Sequence, residues 1–366
     1  MSPSEVIARR YADIFVQLFD SVRTDWRRPW IVPQVHPQQT MDGRAFEGTN
    51  RLLASLFATQ RGFGIPVWMT FNRAREIGVS VNRGAKSLPV THFSSWYVEK
   101  ETHRRTDLTD EQYRALPPED RERYERWTNL SWYSEFNIDQ TDFAEVYPGQ
   151  YRELQEHFGA SPARACTEAG IDRMVERGEW ICRIEVGGAD TPGYDPINYV
   201  IRMPEKSRFP DESRYYATLF REMSHSLGDE MFRDRNLLSC ELSDYAQEQM
   251  IAELSSATLC SLVGLDATIS DGNLAYLKTW ASAIDRDPNI IYSVVREAAG
   301  TARDISERLG IEQRQGFDLS AVLARMEQAE GERRTAAPER KAAQGRRQDR
   351  NPVRTVPSGN PRRRGL

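Results

Sequence analysis

Hydrophobic positions in the first part of the chain follow both helical and extended patterns. Between residues 3 and 23 they recur every three or four residues, which predicts an amphipathic helix. The stretch GTNRLLASLFATQ predicts a second helix, and WMTFNRAREIG predicts a short one that ends at Gly78. VTHFSSWYV and SWYSEFNIDQTDF predict strands because they are rich in β-branched and aromatic residues. The charged residues 101–129 between them are expected to form an exposed insertion.

The remainder of the chain has a mostly helical pattern. YRELQEHFGA and ACTEAGIDRMVERG predict helices, and EWICRIEVGG and NYVIRMP predict strands. Longer helices are predicted over 213–227, 243–263 and 273–309, the last with a break at DRDPN. The expected fold class is α+β, in three parts. A small mixed α/β domain over 1–145 is followed by a mostly helical domain over 146–330, and then by a basic tail over 331–366 whose composition predicts disorder.

The length and composition of the chain indicate how many domains it can form and in which compartment it is expected to act. A chain of 366 residues with 39% hydrophobic residues can bury the cores of two domains. No apolar run approaches the roughly 20 residues needed to span a bilayer, and the N-terminus lacks the apolar core of a secretion signal. The four cysteines lie far apart without a C-x-x-C pair, which is typical of free thiols. These features predict a cytoplasmic protein with no membrane partner.

Positive charge is concentrated at the two ends of the chain. The net charge is -5, yet residues 331–366 hold eleven Lys/Arg against three Asp/Glu, and residues 1–100 hold thirteen against eight. This distribution favours a polyanionic partner.

Cations also alternate with aromatic residues near the front of the chain. Arginine and lysine neutralise phosphates while exposed rings stack on unpaired bases, so the pattern favours single-stranded DNA. The alternative is a solvated charged face beside ordinary core aromatics. The three clusters are WRRPW from Trp26 to Trp30, Arg44 with Phe46 and Arg51, and Arg83 and Lys86 followed by Phe93, Trp96 and Tyr97.

Five motifs follow one another within the first 145 residues: WRRPW, DGRAFEGTNRLLAS, PVWMTFNRAREIG, NRGAKSLPVTHF and FNIDQTD. Their order and spacing resemble the N-terminal domain of ArdC-type antirestriction proteins. In that family the domain binds single-stranded DNA, and the proteins are carried by plasmids and other mobile elements. The resemblance implies DNA contacts at Trp26, Arg27, Arg28, Trp30, Arg44, Asn50, Arg83 and Lys86.

The stretch YYATLFREMSHSLG places Arg221, Glu222 and His225 where a zinc-hydrolase helix carries H-E-x-x-H. With YDPINYVIRMP before it and YAQEQMIAELSS after it, this stretch resembles the zincin-like peptidase half of the same family. Two histidines four residues apart share a helix face and can hold one zinc ion, with the intervening Glu as base. The resemblance implies Glu253, or less favourably Glu248, as a third ligand.

Arg221 stands in the first ligand position, and a guanidinium group has no lone pair to offer a metal. Three interpretations follow: a chance match in an ordinary helix, a rebuilt metal site with Glu222 as the catalytic residue, or a pseudopeptidase in which Arg221 pairs with Glu253. We favour the third, because the flanking motifs argue against chance and no replacement ligand is evident. No cofactor is then expected, and zinc would bind His225 and Glu253 only if the degenerate site still holds a metal.

The sequence therefore predicts a single-stranded DNA-binding protein of a mobile element or phage, of the antirestriction type, with an inactive peptidase-fold domain. One rival is an active zinc metallopeptidase with a non-standard ligand set. The other is an interaction scaffold that binds a host protein through the second domain.

Overall fold

The computed structural model describes most of the chain, and two compact units form within it. The described residues are 3–24, 31–32, 36–159, 168–229, 231–235, 237–238, 241–266, 276–311, 315–326, 328 and 356–357. The first unit is Met1–Leu88 with Glu135–Ala336, and the second is Pro89–Ser134 with Ala337–Leu366. The predicted boundary at residue 145 stays a prediction, and the residues on both sides of it belong to the first unit. The predicted tail, 331–366, lies outside the described residues apart from 356–357.

The first elements of the chain match the predicted pattern except at two short strands, β1 (Gln39–Thr40) and β2 (Val67–Thr70). The first helix buries Ile7, Tyr11 and Phe15 along one face, as its spacing predicts. The expected helix in WMTFNRAREIG was wrong at its start, because residues 67–69 form a strand whose consecutive apolar side chains are all buried. The elements are α1 (Pro3–Thr24), β1 (Gln39–Thr40), α2 (Gly48–Arg61), β2 (Val67–Thr70) and α3 (Phe71–Glu76).

A long two-stranded hairpin makes up most of the second unit. Its strands are β3 (Leu88–Glu99) and β4 (Tyr124–Asn137), and their connection holds α4 (Asp110–Ala115) and α5 (Pro118–Arg121). The predicted insertion is exposed yet ordered. Tyr97 stacks on Tyr113 with ring centroids 4.2 Å apart and donates a 2.9 Å hydrogen bond to Asp110.

The strands are joined in the order β1-β2-β4-β3. β1 runs parallel to β2, with Gln39 opposite Val67. β2 is antiparallel to the end of β4, with Thr70 opposite Glu135. A further two-residue strand, β8 (Val356–Pro357), pairs with β4 at Trp127 and Thr128.

The rest of the first unit is mostly helical, as predicted. A small sheet consists of β5 (Arg183–Val186), β6 (Gly193–Asp195) and β7 (Val200–Met203) in the order β5-β7-β6. The sequence pattern did not predict β6, which is an antiparallel edge strand. Helix α9 (Glu212–Ser226) is capped at its N-terminus by Asp211, whose side chain accepts a 2.8 Å hydrogen bond from the Arg214 amide. The elements are α6 (Phe143–Val146), α7 (Pro148–Phe158), α8 (Glu168–Arg177), β5 (Arg183–Val186), β6 (Gly193–Asp195), β7 (Val200–Met203), α9 (Glu212–Ser226), α10 (Leu242–Val263), α11 (Leu277–Arg286) and α12 (Asn289–Arg308).

Two hydrophobic contacts join distant parts of the first unit. Tyr11 of α1 stacks on Tyr292 of α12 at 6.0 Å, and Phe19 packs on the buried Trp280 at 5.8 Å. None of the helices in the described residues is long and apolar enough to cross a bilayer.

Residues 315–326 return to complete a core near the beginning of the chain. Phe317 is paired with the buried Gln39, whose amide Nε2 donates to the Phe317 carbonyl at 2.9 Å and whose Oε1 accepts from the Phe317 amide at 2.7 Å. The core cluster contains Met41, Ile65, Val67, Met69, Ala74, Ile77, Val79, Ile138, Phe143, Tyr147, Leu154, Phe158, Leu319, Val322 and Met326.

Candidate functional site

Helices α9 and α10 position the residues of the predicted peptidase site. Arg221 and His225 lie one helical turn apart on α9, so their side chains share a face. On α10, Glu253 lies beside Arg221, and Glu248 lies beside His225. The two pairs run in opposite chain order, as expected for antiparallel helices.

Arg221 is held by two carboxylates. Its Nη2 lies 3.2 Å from Glu222 Oε1, and its Nη1 lies 3.6 Å from Glu253 Oε1. Burial disfavours the charged form, yet the charges of Glu222 and Glu253 outweigh it and raise the pKa of Arg221 above its ordinary value. The predicted ion pair between Arg221 and Glu253 is therefore present, and the guanidinium carries a permanent charge at this place.

Glu222 has both carboxylate oxygens engaged. Oε1 accepts hydrogen bonds from Arg221, and Oε2 accepts one from the backbone amide of Tyr194 at 2.9 Å. Tyr194 lies on the edge strand β6, and its amide is a group that could otherwise pair with an extended peptide. Glu222 thus joins helix α9 to strand β6.

His225 belongs to a second charged group. Its Nδ1 lies 2.7 Å from Glu248 Oε1, and the other oxygen of Glu248 lies 3.1 Å from Arg235 Nε. Arg235 also donates hydrogen bonds to the carbonyl of Ser224 and, at 3.3 Å, to Thr301. Burial lowers the pKa of Arg235, although Glu248 acts in the opposite direction.

A pocket of about 480 Å³ opens over these groups. Arg221, Glu222 and Glu248 line it, and two of these lining residues are paired with charged groups outside the lining, Arg221 with Glu253 and Glu248 with Arg235. The two guanidinium groups carry the same +2 charge as one divalent cation. The lining residues are Pro192, Gly193, Tyr194, Pro196, Arg221, Glu222, His225, Leu237, Tyr245, Glu248, Gln249 and Tyr276.

The donor set does not fit the metal that a zincin fold implies. Arg221 offers no lone pair, Glu222 and Glu253 are paired with it, and His225 contacts Glu248. Across the described ranges of the chain, no three His, Cys, Asp or Glu side chains are grouped so that they could hold an ion.

The predicted DNA contacts lie on separate segments. Trp26, Arg27, Arg28 and Trp30 fall outside the described residues. Arg44 is exposed on the turn after β1, where Gly43 has a φ of 81° that favours glycine. Asn50 is half-buried in the first turn of α2.

Arg83 and Lys86 are exposed on the loop between α3 and β3. The loop is held in place by Gln140, whose carbonyl accepts from the Asn82 amide and whose side chain donates to the Lys86 carbonyl, both at 2.9 Å. Their charges are therefore presented on an anchored backbone.

Two rings of the predicted aromatic clusters are not available for stacking. Phe46 is buried and packs near Trp68, and Tyr97 is covered by Tyr113. Phe93 remains exposed, with 61% of its surface accessible. Among the described rings of these clusters, Phe93 is exposed, Trp96 is half-buried, and Phe46 and Tyr97 are buried. Alternation with cations therefore does not distinguish exposed rings from buried ones.

Comparison with known proteins matches each half of the chain to a different family. Residues 5–126 match the N-terminal domain of anti-restriction factor ArdC, and residues 171–297 match a zincin-like metallopeptidase family. The chain also resembles the crystal structure of the antirestriction ArdC protein from the R388 plasmid. In its metal-free form that structure has a TM-score of 0.56 and 25% identity, over 83% of this chain and 99% of that one. The chain therefore combines a domain similar to the N-terminal domain of ArdC with a zincin-like domain. The resemblance drawn from its motifs is confirmed in both halves.

The chain covers very different shares of the other proteins to which it is similar. The Mn(II)-bound structure of the same R388 protein has a TM-score of 0.55 and the same identity and coverage. Two DNA primases TraC of Escherichia coli are 26% and 25% identical over 296 and 324 residues, or 78% and 86% of this chain. The chain spans only 26% and 20% of those primases. The uncharacterized protein y4eC of Sinorhizobium fredii (strain NBRC 101917 / NGR234) is 26% identical over 317 residues, covering 85% of this chain and 94% of that protein.

Sequence reasoning missed Arg235 and Tyr194 as parts of the site. Arg235 follows α9 in an irregular stretch, and Tyr194 contributes its backbone amide, which any residue except proline possesses. Neither has a signature in the sequence. Glu248 was expected as a less favoured metal ligand, and the structure places it against His225 instead.

Proposed function

We propose that this ArdC-type protein binds single-stranded DNA through its N-terminal half and that its zincin-like half does not hydrolyse peptides. It would then act as an antirestriction or DNA-protecting protein of a plasmid, phage or other mobile element. The observation that carries the second part is the position of Arg221, ion-paired with Glu222 and Glu253 where a metal ligand is expected.

Single-strand binding is supported by the family match and by the exposed cations. The match over residues 5–126 includes every predicted contact. Of these, Arg44, Arg83 and Lys86 are exposed on two different connecting segments. Cations of this kind hold the phosphate backbone, while the two tryptophans of WRRPW supply rings for the bases. The basic residues of 331–366 would add salt-dependent attraction.

Action in the cytoplasm is supported by the cysteines. Cys182 and Cys260 are free thiols, and free thiols are typical of reducing compartments.

Two alternative functions concern the zincin-like half. In the scaffold alternative, a host protein binds at the pocket that Arg221 lines. An active metallopeptidase is the other alternative, and the Mn(II)-bound structure of the R388 protein favours testing for it.

We expect Trp26→Ala and Arg28→Ala each to weaken binding of a fluorescent oligothymidylate by about tenfold, because the first removes a base stack of about 1–3 kcal/mol and the second removes a cation that holds the phosphate backbone. Fluorescence anisotropy at moderate salt measures the affinity. Arg286→Ala is the matched control, because Arg286 lies on α11 and its side chain donates, within the described part of the chain, a hydrogen bond to Ser282 of the same helix. Unchanged affinity in both front variants, or an equal loss in the control, would contradict the assignment.

A further inference from the structure

A carboxylate is buried near one of the predicted DNA contacts. Glu135 lies on β4 opposite Thr70 and is only 7% exposed. Its Oε2 has no hydrogen-bond partner within the part of the chain that the structure describes. Buried polar atoms are nearly always paired with protein, water or a ligand. This atom therefore indicates a place for a polar group that the described chain does not provide.

Charged groups of both signs act on Glu135. Asp42 and Arg44, on the turn after β1, both act on it electrostatically. Asp42 is in turn paired with Arg73 of α3, with Oδ1 and Nη2 3.3 Å apart, and Arg73 Nη1 lies 3.4 Å from Glu76 Oε2. We call these five residues the Arg44 cluster: Asp42, Arg44, Arg73, Glu76 and Glu135.

The cluster contains a second orphan atom. Arg73 Nε is buried and, among the described residues, has no hydrogen-bond acceptor. A guanidinium with an open donor, in the same cluster as an exposed arginine, is suited to an anion with several acceptor oxygens, and a phosphodiester has that chemistry.

Protonation of Glu135 changes the charge of the cluster near neutral pH. Burial, and then the charge of Asp42, raise the pKa of Glu135 to about 7, while Arg44 acts in the opposite direction. With Glu135 ionised, three carboxylates oppose two arginines and the net charge is -1. With Glu135 protonated the net charge is zero, and its carboxyl group becomes a donor. The affinity for an anion must therefore rise as the pH falls through this range.

We propose that the Arg44 cluster binds a phosphodiester group of single-stranded DNA and that Glu135 takes up a proton when it does so. Arg44 and Arg73 supply cationic donors to the phosphate oxygens, and protonated Glu135 no longer repels them. This inference rests on the proposed function, and it adds Arg73 and Glu135 to the residues that the sequence motifs indicate.

The test compares wild-type protein with Glu135→Gln, which keeps the shape of the protonated side chain. Anisotropy with a fluorescent oligothymidylate is measured from pH 6 to pH 8 at constant ionic strength. We expect wild-type affinity to fall by roughly threefold or more across this range, because one charge is added within a few ångströms of a phosphate. Glu135→Gln should keep the pH 6 affinity throughout, apart from any slope that both proteins share.

Glu76→Gln is the matched control. It removes a more exposed carboxylate from the same cluster, so it should retain the pH dependence of the wild type. Melting curves at both pH values establish that each variant is folded. Identical pH profiles for wild type and Glu135→Gln would overturn the role of Glu135 while leaving DNA binding intact. Absence of binding by the wild type at every pH would instead overturn the proposed function itself.

Discussion

A chain that ends at residue 310 is expected not to fold, whereas a chain that ends at residue 330 should melt like the full-length protein. The difference is the segment 315–326, which places Leu319, Val322 and Met326 in the core cluster at 2% exposure or less. Burying each such side chain contributes about 1.5–3 kcal/mol. Three of them approach the whole stability of a typical domain, which is about 5–15 kcal/mol.

The backbone contribution of the same segment adds to this loss. Removal of Phe317 leaves both polar atoms of the buried Gln39 amide without their partners, which costs further stability. The exposed ion pair between Arg325 and Glu153, with nitrogen and oxygen 2.6 Å apart, contributes little by comparison. Circular dichroism melting of the two shortened chains measures the effect.

A single substitution tests the contribution of side-chain packing without shortening the chain. Leu319→Ala in the full-length protein should lower the free energy of unfolding by about 2–5 kcal/mol. Ala321→Ser is the control, because Ala321 is exposed on the same helical segment. A 310-residue chain that melts cooperatively at the wild-type temperature would show that the returning segment is dispensable for this core.

The local pattern of hydrophobic residues predicted the helices well, but it did not predict that residues 315–326 return to the core near the beginning of the chain. Tyr11 and Phe15 repeat at helical spacing, so α1 could be inferred from its own residues. Leu319, Val322 and Met326 have the same spacing, but spacing says only that one face will be buried. The partners of that face, including Met41 and Val67, lie more than 250 positions earlier in the chain, and no local rule connects them.

In the candidate site, too, some contacts could be predicted from the sequence and others could not. The pairing of Arg221 with Glu253 was predicted, since both positions belong to motifs with a known helical arrangement, and that ion pair is confirmed. The contact of His225 with Glu248, and of Glu248 with Arg235, depends on an irregular stretch after α9 and has no periodic signal. For the aromatic rings, burial decides which can stack on a base, and burial depends on the whole fold.

Arg221→His is expected to bind a divalent metal ion far more tightly than the wild-type protein does. The substitution restores H-E-x-x-H, because residues 221 and 225 share a face of α9 and Glu253 lies beside position 221. Neutral imidazole offers a lone pair where guanidinium offers none. Loss of an outer-shell partner alone weakens metal affinity by about 10–100-fold, so a restored direct ligand should strengthen it by at least roughly 100-fold. Calorimetric titration of chelator-treated protein with Mn(II) measures the affinity.

Arg221→Gln tests whether removal of the Arg221 charge alone, without a new metal ligand, allows metal binding. It removes the charge without supplying a metal ligand, so it should bind no Mn(II). It should also be less stable by about 3–5 kcal/mol, because the buried carboxylates of Glu222 and Glu253 lose their partner. Mn(II) should raise the melting temperature of Arg221→His alone, since a ligand stabilises only the state that binds it. If the wild-type protein bound one Mn(II) per chain as tightly as Arg221→His does, the Arg221 guanidinium would have to move aside for the ion. That result would support the alternative that the zincin-like half is an active metallopeptidase.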